Sequence, residues 1–166
     1  MISFTVPGTP APGGSKKAFV NPKTGKVVVT DDAKNNAGWR ARVSVFARQA
    51  MGSKPPMEGP LHLFMLFTVR RPKSHYGTGR NSGRIKPQSA EARPTSKPDL
   101  TKLVRAAEDA MTGIVWRDDA QVVSQMLGKA YGDTEGLMVS VSPSVSASLD
   151  DAGKYYVFEY DSASKE

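Results

Sequence analysis

Pro98-Asp99-Leu100-Thr101-Lys102-Leu103-Val104-Arg105-Ala106-Ala107-Glu108-Asp109-Ala110-Met111-Thr112-Gly113 is the stretch on which the fold turns. Leu100, Leu103, Val104, Ala107 and Met111 fall at i, i+3, i+4, i+7 and i+11, the pattern of a helix with one apolar face. Pro98-Asp99 opens this helix, and Thr112-Gly113 closes it with a glycine suited to a left-handed cap. Asp99, Lys102, Arg105 and Asp109 follow one another at steps of three, three and four, so they share a face away from the apolar stripe. Val115-Trp116-Arg117-Asp118-Asp119 then leads into a strand over residues 121–130, with the acid pair just ahead of it.

Upstream, Leu61 to Val69 is apolar on both faces, as a central strand is. Between it and the helix, Arg70, Arg71, Lys73, Arg80, Arg84, Lys86, Arg93 and Lys97 stand against the single acid Glu91, among Gly77, Gly79, Gly83, Pro72, Pro87 and Pro94. This composition fits a flexible basic loop that closes over phosphates. Ile2 to Val6 alternates as a first strand and stops at Pro7-Gly8. Residues 18–20 and 26–29 flank the polar turn Asn21-Pro22-Lys23-Thr24-Gly25 as a hairpin. Thr30-Asp31-Asp32 carries cap-type side chains ahead of a helix over 33–51, striped by Trp39, Val43, Phe46, Ala47 and Ala50. Gly136 to Val141 and Tyr155 to Tyr160 read as late strands. The domain is expected over 1–142, with an acidic Ser/Asp-rich tail over 143–166.

Composition narrows the chemistry. The 166 residues suit one domain and include no cysteine and two histidines, His62 and His75. Disulfides and thiolate zinc are excluded, and any metal is held by oxygen, which favours Mg²⁺ or Mn²⁺. No leader or spanning segment is visible, so a cytoplasmic protein is expected. The net charge is +7 while the tail carries −3, so the body before it is at +10. That balance points to a nucleic-acid partner.

Phosphodiester hydrolysis by such a chain needs a divalent cation held by two or three convergent acids amid positive charge. The acids near the basic loop are Asp99, Glu108, Asp109, Asp118 and Asp119. Each also has a plain structural use: Asp99 as a helix cap, Asp109 as a surface partner of Arg105, Asp118-Asp119 as a turn.

The chain resembles the RusA family of Holliday junction resolvases. The resemblance runs from Phe4-Thr5-Val6-Pro7-Gly8-Thr9-Pro10 through Gly59-Pro60 to Lys97-Pro98-Asp99-Leu100 and Ala110-Met111-Thr112-Gly113. It continues through Val115-Trp116-Arg117-Asp118-Asp119-Ala120-Gln121-Val122-Val123 and Lys129-Ala130-Tyr131-Gly132. It implies an α/β (α+β) domain, a mixed sheet with two main helices packed on it, forming a homodimer. It implies a crossover junction endodeoxyribonuclease that resolves four-way DNA junctions by paired nicks in recombination and repair, within a bacterial or phage-infected cell. The implied metal ligands are Asp99 and Asp119, with Asp118 beside them and Glu108 or Asp109 as substitutes; Lys102 and Arg105 would act on the phosphate. Lys16, Lys17, Arg70, Arg71, Lys73, Arg80, Arg84, Lys86 and Lys97 are the expected DNA contacts. Three positions depart from the family pattern: Thr101 stands for a second acid, Lys102 for an asparagine and Arg105 for a lysine. A junction-binding protein with weak or no cleavage, or a general basic nucleic-acid-binding protein, are the alternatives.

Overall fold

The computed structural model describes residues 1–14, 16–31, 35–144, 146–149 and 155–158; at 16–19, 29–31, 146–149 and 155–158 it describes the backbone alone. Along the chain run β1 (Ile2–Pro7), β2 (Lys16–Val20), β3 (Val27–Asp31), α1 (Asn36–Met51), β4 (Leu61–Arg70), α2 (Leu100–Met111), β5 (Val122–Gly132), β6 (Gly136–Pro143), β7 (Ser146–Leu149) and β8 (Tyr155–Phe158). The main sheet has the order β1-β6-β4-β5. β4 pairs antiparallel with β6 and parallel with β5. A parallel pair needs a crossover, and α2 supplies it. The result is a single α+β domain with a mixed sheet and two helices.

Leu61, Leu63, Met65 and Phe67 are fully buried on one face of β4. They meet Leu103, Ala106, Ala107 and Met111 of α2 and Trp39, Val43 and Ala47 of α1 in one core cluster. Each such Leu, Met or Phe side chain contributes roughly 1.5–3 kcal/mol through burial. The alternate β4 residues are half-buried on the opposite face. β4 is therefore central, but one of its faces is far less covered than the other.

Two expectations shift. Asp31 ends β3, so α1 starts at Asn36, with Asn35 at its cap and no side-chain capping bond; Asp32 lies outside the described residues. The basic segment after β4 holds three single 3-10 turns, Lys73–His75, Gly79–Asn81 and Pro87–Ser89. Within it, Gly77 N–H donates to the Arg84 carbonyl at 2.9 Å and Lys86 N–H to that of His75 at 2.9 Å. This loop closes its own hydrogen bonds. The Lys16 and Lys17 side chains and the tail residues 150–154 and 159–166 lie outside the described residues. No helix of the described residues is long and apolar enough to cross a membrane.

Candidate active site

Asp99 stands at the N-cap of α2 with extended backbone (φ −68°, ψ 139°), and its carboxylate makes no capping bond. The side chain instead meets the Lys102 ammonium at 3.3 Å. The Gly/Pro-rich segment after β1 packs here, with Gly13 N–H donating to the Lys102 carbonyl at 2.8 Å. A Cβ at Gly13 would lie 3.4 Å from that oxygen, in ordinary contact. Thr9 to Pro12, Asn35, Lys97, Pro98, Asp99 and Lys102 line a cavity of about 470 Å³.

Asp119 lies past the other end of α2. Trp116 is fully buried, and a buried indole N–H usually finds an acceptor. It donates to Asp119 Oδ1 at 2.9 Å and reaches Thr112 Oγ1 at 3.2 Å. The Thr112 hydroxyl also donates to Asp119 Oδ1. Both donors fall on Oδ1, which leaves Oδ2 as the oxygen available to a cation. Asp118 does a different job. Its Oδ1 accepts from Ala120 N–H at 2.8 Å, and Gln121 Oε1 accepts from the Asp118 and Arg117 N–H groups, a capping box on the turn Asp119–Gln121.

Glu108, half-buried one helical turn before Thr112, accepts from Gln125 Nε2 at 2.6 Å. Burial raises its carboxyl above the usual carboxylate range; the nearby Asp119 and Asp109 charges add to the rise, and the Gln125 bond opposes it. Such a group favours the folded state only when protonated, so its penalty grows as pH rises through the raised value. Glu108→Gln keeps an acceptor and removes the charge. In metal-free buffer at about pH 8 the variant should melt above the wild type, and the gap should close near pH 4, where the free carboxyl titrates. A variant melting at or below the wild type at the higher pH contradicts this assignment.

Asp109 pairs with Arg40 of α1 at 3.8 Å rather than with Arg105. Arg105 and Thr101 are exposed on the same helix. Asp99 and Asp119 stand at opposite ends of α2, whose 12 residues rise about 18 Å. One protomer therefore does not bring the two acids together. Among the described residues no three metal-ligating side chains of the Asp, Glu, His or Cys type converge.

The basic loop divides in two. Arg71 donates to the Ser89 carbonyl at 2.6 Å, and its guanidinium lies 4.9 Å from the Tyr131 ring centre. Lys86 Nζ donates to the Ser74 carbonyl at 2.9 Å. These two cations hold the loop. Arg70, Lys73, Arg80, Arg84 and Lys97 are exposed. Sequence reasoning missed Thr112, Trp116, Gln125 and Lys129. A tryptophan three residues ahead of an acid was the one visible signal.

Two comparisons bear on this arrangement. The chain is 29% identical over 140 residues to the uncharacterized protein YqaN of Bacillus subtilis (strain 168), covering 84% of this chain and 94% of that one. The family model described as Endodeoxyribonuclease RusA matches residues 7–142, which begin at the last residue of β1 and take in both helices, β4, β5 and all but the last residue of β6, with Asp99 and Asp119 inside the match. Nucleases of this family act on branched DNA and generally depend on a divalent metal. With the fold and both acids inside that span, the chain belongs to the RusA endodeoxyribonuclease family.

Proposed function

We propose that this chain is a dimeric, Mg²⁺-dependent endonuclease that binds four-way DNA junctions and nicks two symmetrically placed strands. The observation that carries this reading is the placement of Asp99 and Asp119 at the two ends of β5, an edge strand with exposed apolar side chains. Lys129, near one end of β5, reaches the carbonyls of Ser96 and Pro98, so that end adjoins Asp99. Asp119 immediately precedes the other end. Val123 and Met126 are 61% and 60% exposed, and an open apolar edge is a template for pairing. Antiparallel pairing of two β5 strands, centred near Gln125 and Met126, would set the partner subunit's Asp119 beside Asp99. Two-fold symmetry makes two such composite sites, as a junction with two equivalent strands requires.

The composite donor set is carboxylate oxygen alone, which fits Mg²⁺ or Mn²⁺ completed by water. Such a cation, when bound, supplies positive charge to the phosphate and acidity to a water. The remaining chemistry belongs to the chain. Lys102 balances Asp99 until DNA arrives, then its ammonium stabilises charge developing on the phosphate. Arg105, one turn along, holds a neighbouring phosphate with its planar fork. Asp118 keeps the turn that presents Asp119. Glu108, whose charge interacts with that of Asp119, stands in for the acid replaced by Thr101. Arg70, Lys73, Arg80, Arg84 and Lys97, together with Lys16 and Lys17, contact the backbone, which gives affinity without sequence information.

A labelled synthetic four-way junction titrated with Mg²⁺ or Mn²⁺ tests the reading. Paired nicks at symmetric positions, absent from linear duplex, are expected; junction retarded but uncut at every metal concentration contradicts cleavage. That second outcome defines the rival, a junction-binding protein, which the Lys102 ammonium 3.3 Å from Asp99 favours. Salt gives a further check. Arg80→Ala with Arg84→Ala should reduce the slope of log affinity against log salt by about 2. An unchanged slope means that the loop tip points away from DNA.

A further inference from the structure

We infer that Lys129 is a positioning residue for Asp99. The inference rests on the reading above for what Asp99 does, but not for how it is held. β5 turns Gln125, Leu127, Lys129 and Tyr131 to one face, since alternate residues of a strand point the same way. Gln125 bonds to Glu108 near the end of α2, and Leu127 packs on the core. Tyr131 lies under the Arg71 guanidinium. Lys129 Nζ donates to the Ser96 and Pro98 carbonyls, both at 2.9 Å. One row of side chains thus fixes α2 and the segment that feeds it.

The position of this ammonium is specific. Two carbonyls, separated only by Lys97, converge on it, so the backbone curls around one cation. The Pro98 carbonyl carbon is bonded to the Asp99 nitrogen. Holding that oxygen therefore sets the peptide plane that leads into Asp99. The Asp99 side chain makes no capping bond, and its Lys102 pair is about half-exposed, at 48% and 50%, where ion pairs are weak. The aim of this carboxylate is accordingly set through its backbone. Charge-assisted bonds from a half-buried lysine are the stronger kind.

The test uses the full chain and compares Lys129→Met with Lys129→Arg by hydrogen exchange, Mn²⁺ binding and cleavage. In Lys129→Met, exchange over 96–103 should quicken about tenfold, while exchange over 61–70 stays as in the wild type. The Mn²⁺ dissociation constant, read by electron paramagnetic resonance, should rise about tenfold, and junction affinity without metal should stay within about twofold. Cleavage should need correspondingly more Mg²⁺. Lys129→Arg, which keeps donors on the same carbonyls, should restore most of the protection. Unchanged exchange over 96–103 overturns the inference, and so does equal loss over 61–70, which marks a general structural role. If Lys129→Met does not fold, Lys129→Arg decides, since full loss of protection there is also contrary. A wild type that neither cleaves nor binds Mn²⁺ defeats the nuclease reading, and the exchange comparison still decides the role of Lys129.

Discussion

Asp119→Asn is expected to lower junction cleavage by about a thousandfold or more while leaving junction affinity within about twofold. The two effects separate because Asp119 has two duties. Its Oδ1 accepts from the Trp116 indole and the Thr112 hydroxyl, and an asparagine carbonyl oxygen can take both bonds. The fold is thereby kept. Asparagine supplies no charge, and a two-carboxylate site for a divalent cation is left with half of its protein charge. Asp119→Ala is the less informative variant, because it leaves the buried indole N–H with only the Thr112 oxygen. A buried donor robbed of its acceptor costs about 1–3 kcal/mol, so lost activity there mixes with lost stability. If Asp119→Asn cleaves within tenfold of the wild type, Asp119 is a structural acceptor and the metal lies elsewhere.

The second large effect concerns the edge of the sheet. Val123→Lys with Met126→Lys should weaken dimerisation by at least about a hundredfold and abolish cleavage in proportion. Both residues are mostly exposed, so a single protomer accommodates lysine at each with little loss of stability. In a two-fold β5 pair centred near Gln125 and Met126 each new charge appears twice, and the two copies at 126 meet near the axis. Charged edge residues are the usual means by which sheets resist such pairing. Sedimentation over a range of concentrations reads the association, and the melting curve verifies the protomer. A variant that stays dimeric at low micromolar concentration, or that cleaves as a monomer, removes β5 from the interface.

Much of this arrangement could be read in the chain. The apolar spacing of Leu100 to Met111 defined α2, and the double-faced apolar run from Leu61 defined the central strand. Asp118-x-x-Gln121 is a capping-box pattern, so the division of labour between Asp118 and Asp119 had a local signature. The start of α1 was hidden because Asp31 has cap chemistry but is used to finish a strand. The basic loop was misleading for a related reason. Composition counts cations without saying which carbonyls they serve, and Arg71 and Lys86 serve the loop itself. The tie between Trp116 and Asp119 depends on burial of the indole, which no spacing reveals. The expectation that Asp99 and Asp119 converge on one metal within a single chain fails, because it ignored the length of the helix between them. Twelve helical residues separate their ends by about 18 Å, so a site that uses both acids calls for a second copy of the chain.

That requirement is the central claim, and mixing two inactive proteins tests it most directly. Asp99→Asn and Asp119→Asn, each inactive alone, are combined, exchanged to equilibrium and given a four-way junction. In a mixed dimer with shared sites, one site receives both wild-type acids and the other receives neither. Random assortment makes half of the dimers mixed, so nicking should return to about a quarter of the wild-type level, as single nicks rather than paired ones. A mixture as inactive as either variant alone would contradict the shared site and place all of the chemistry within one protomer.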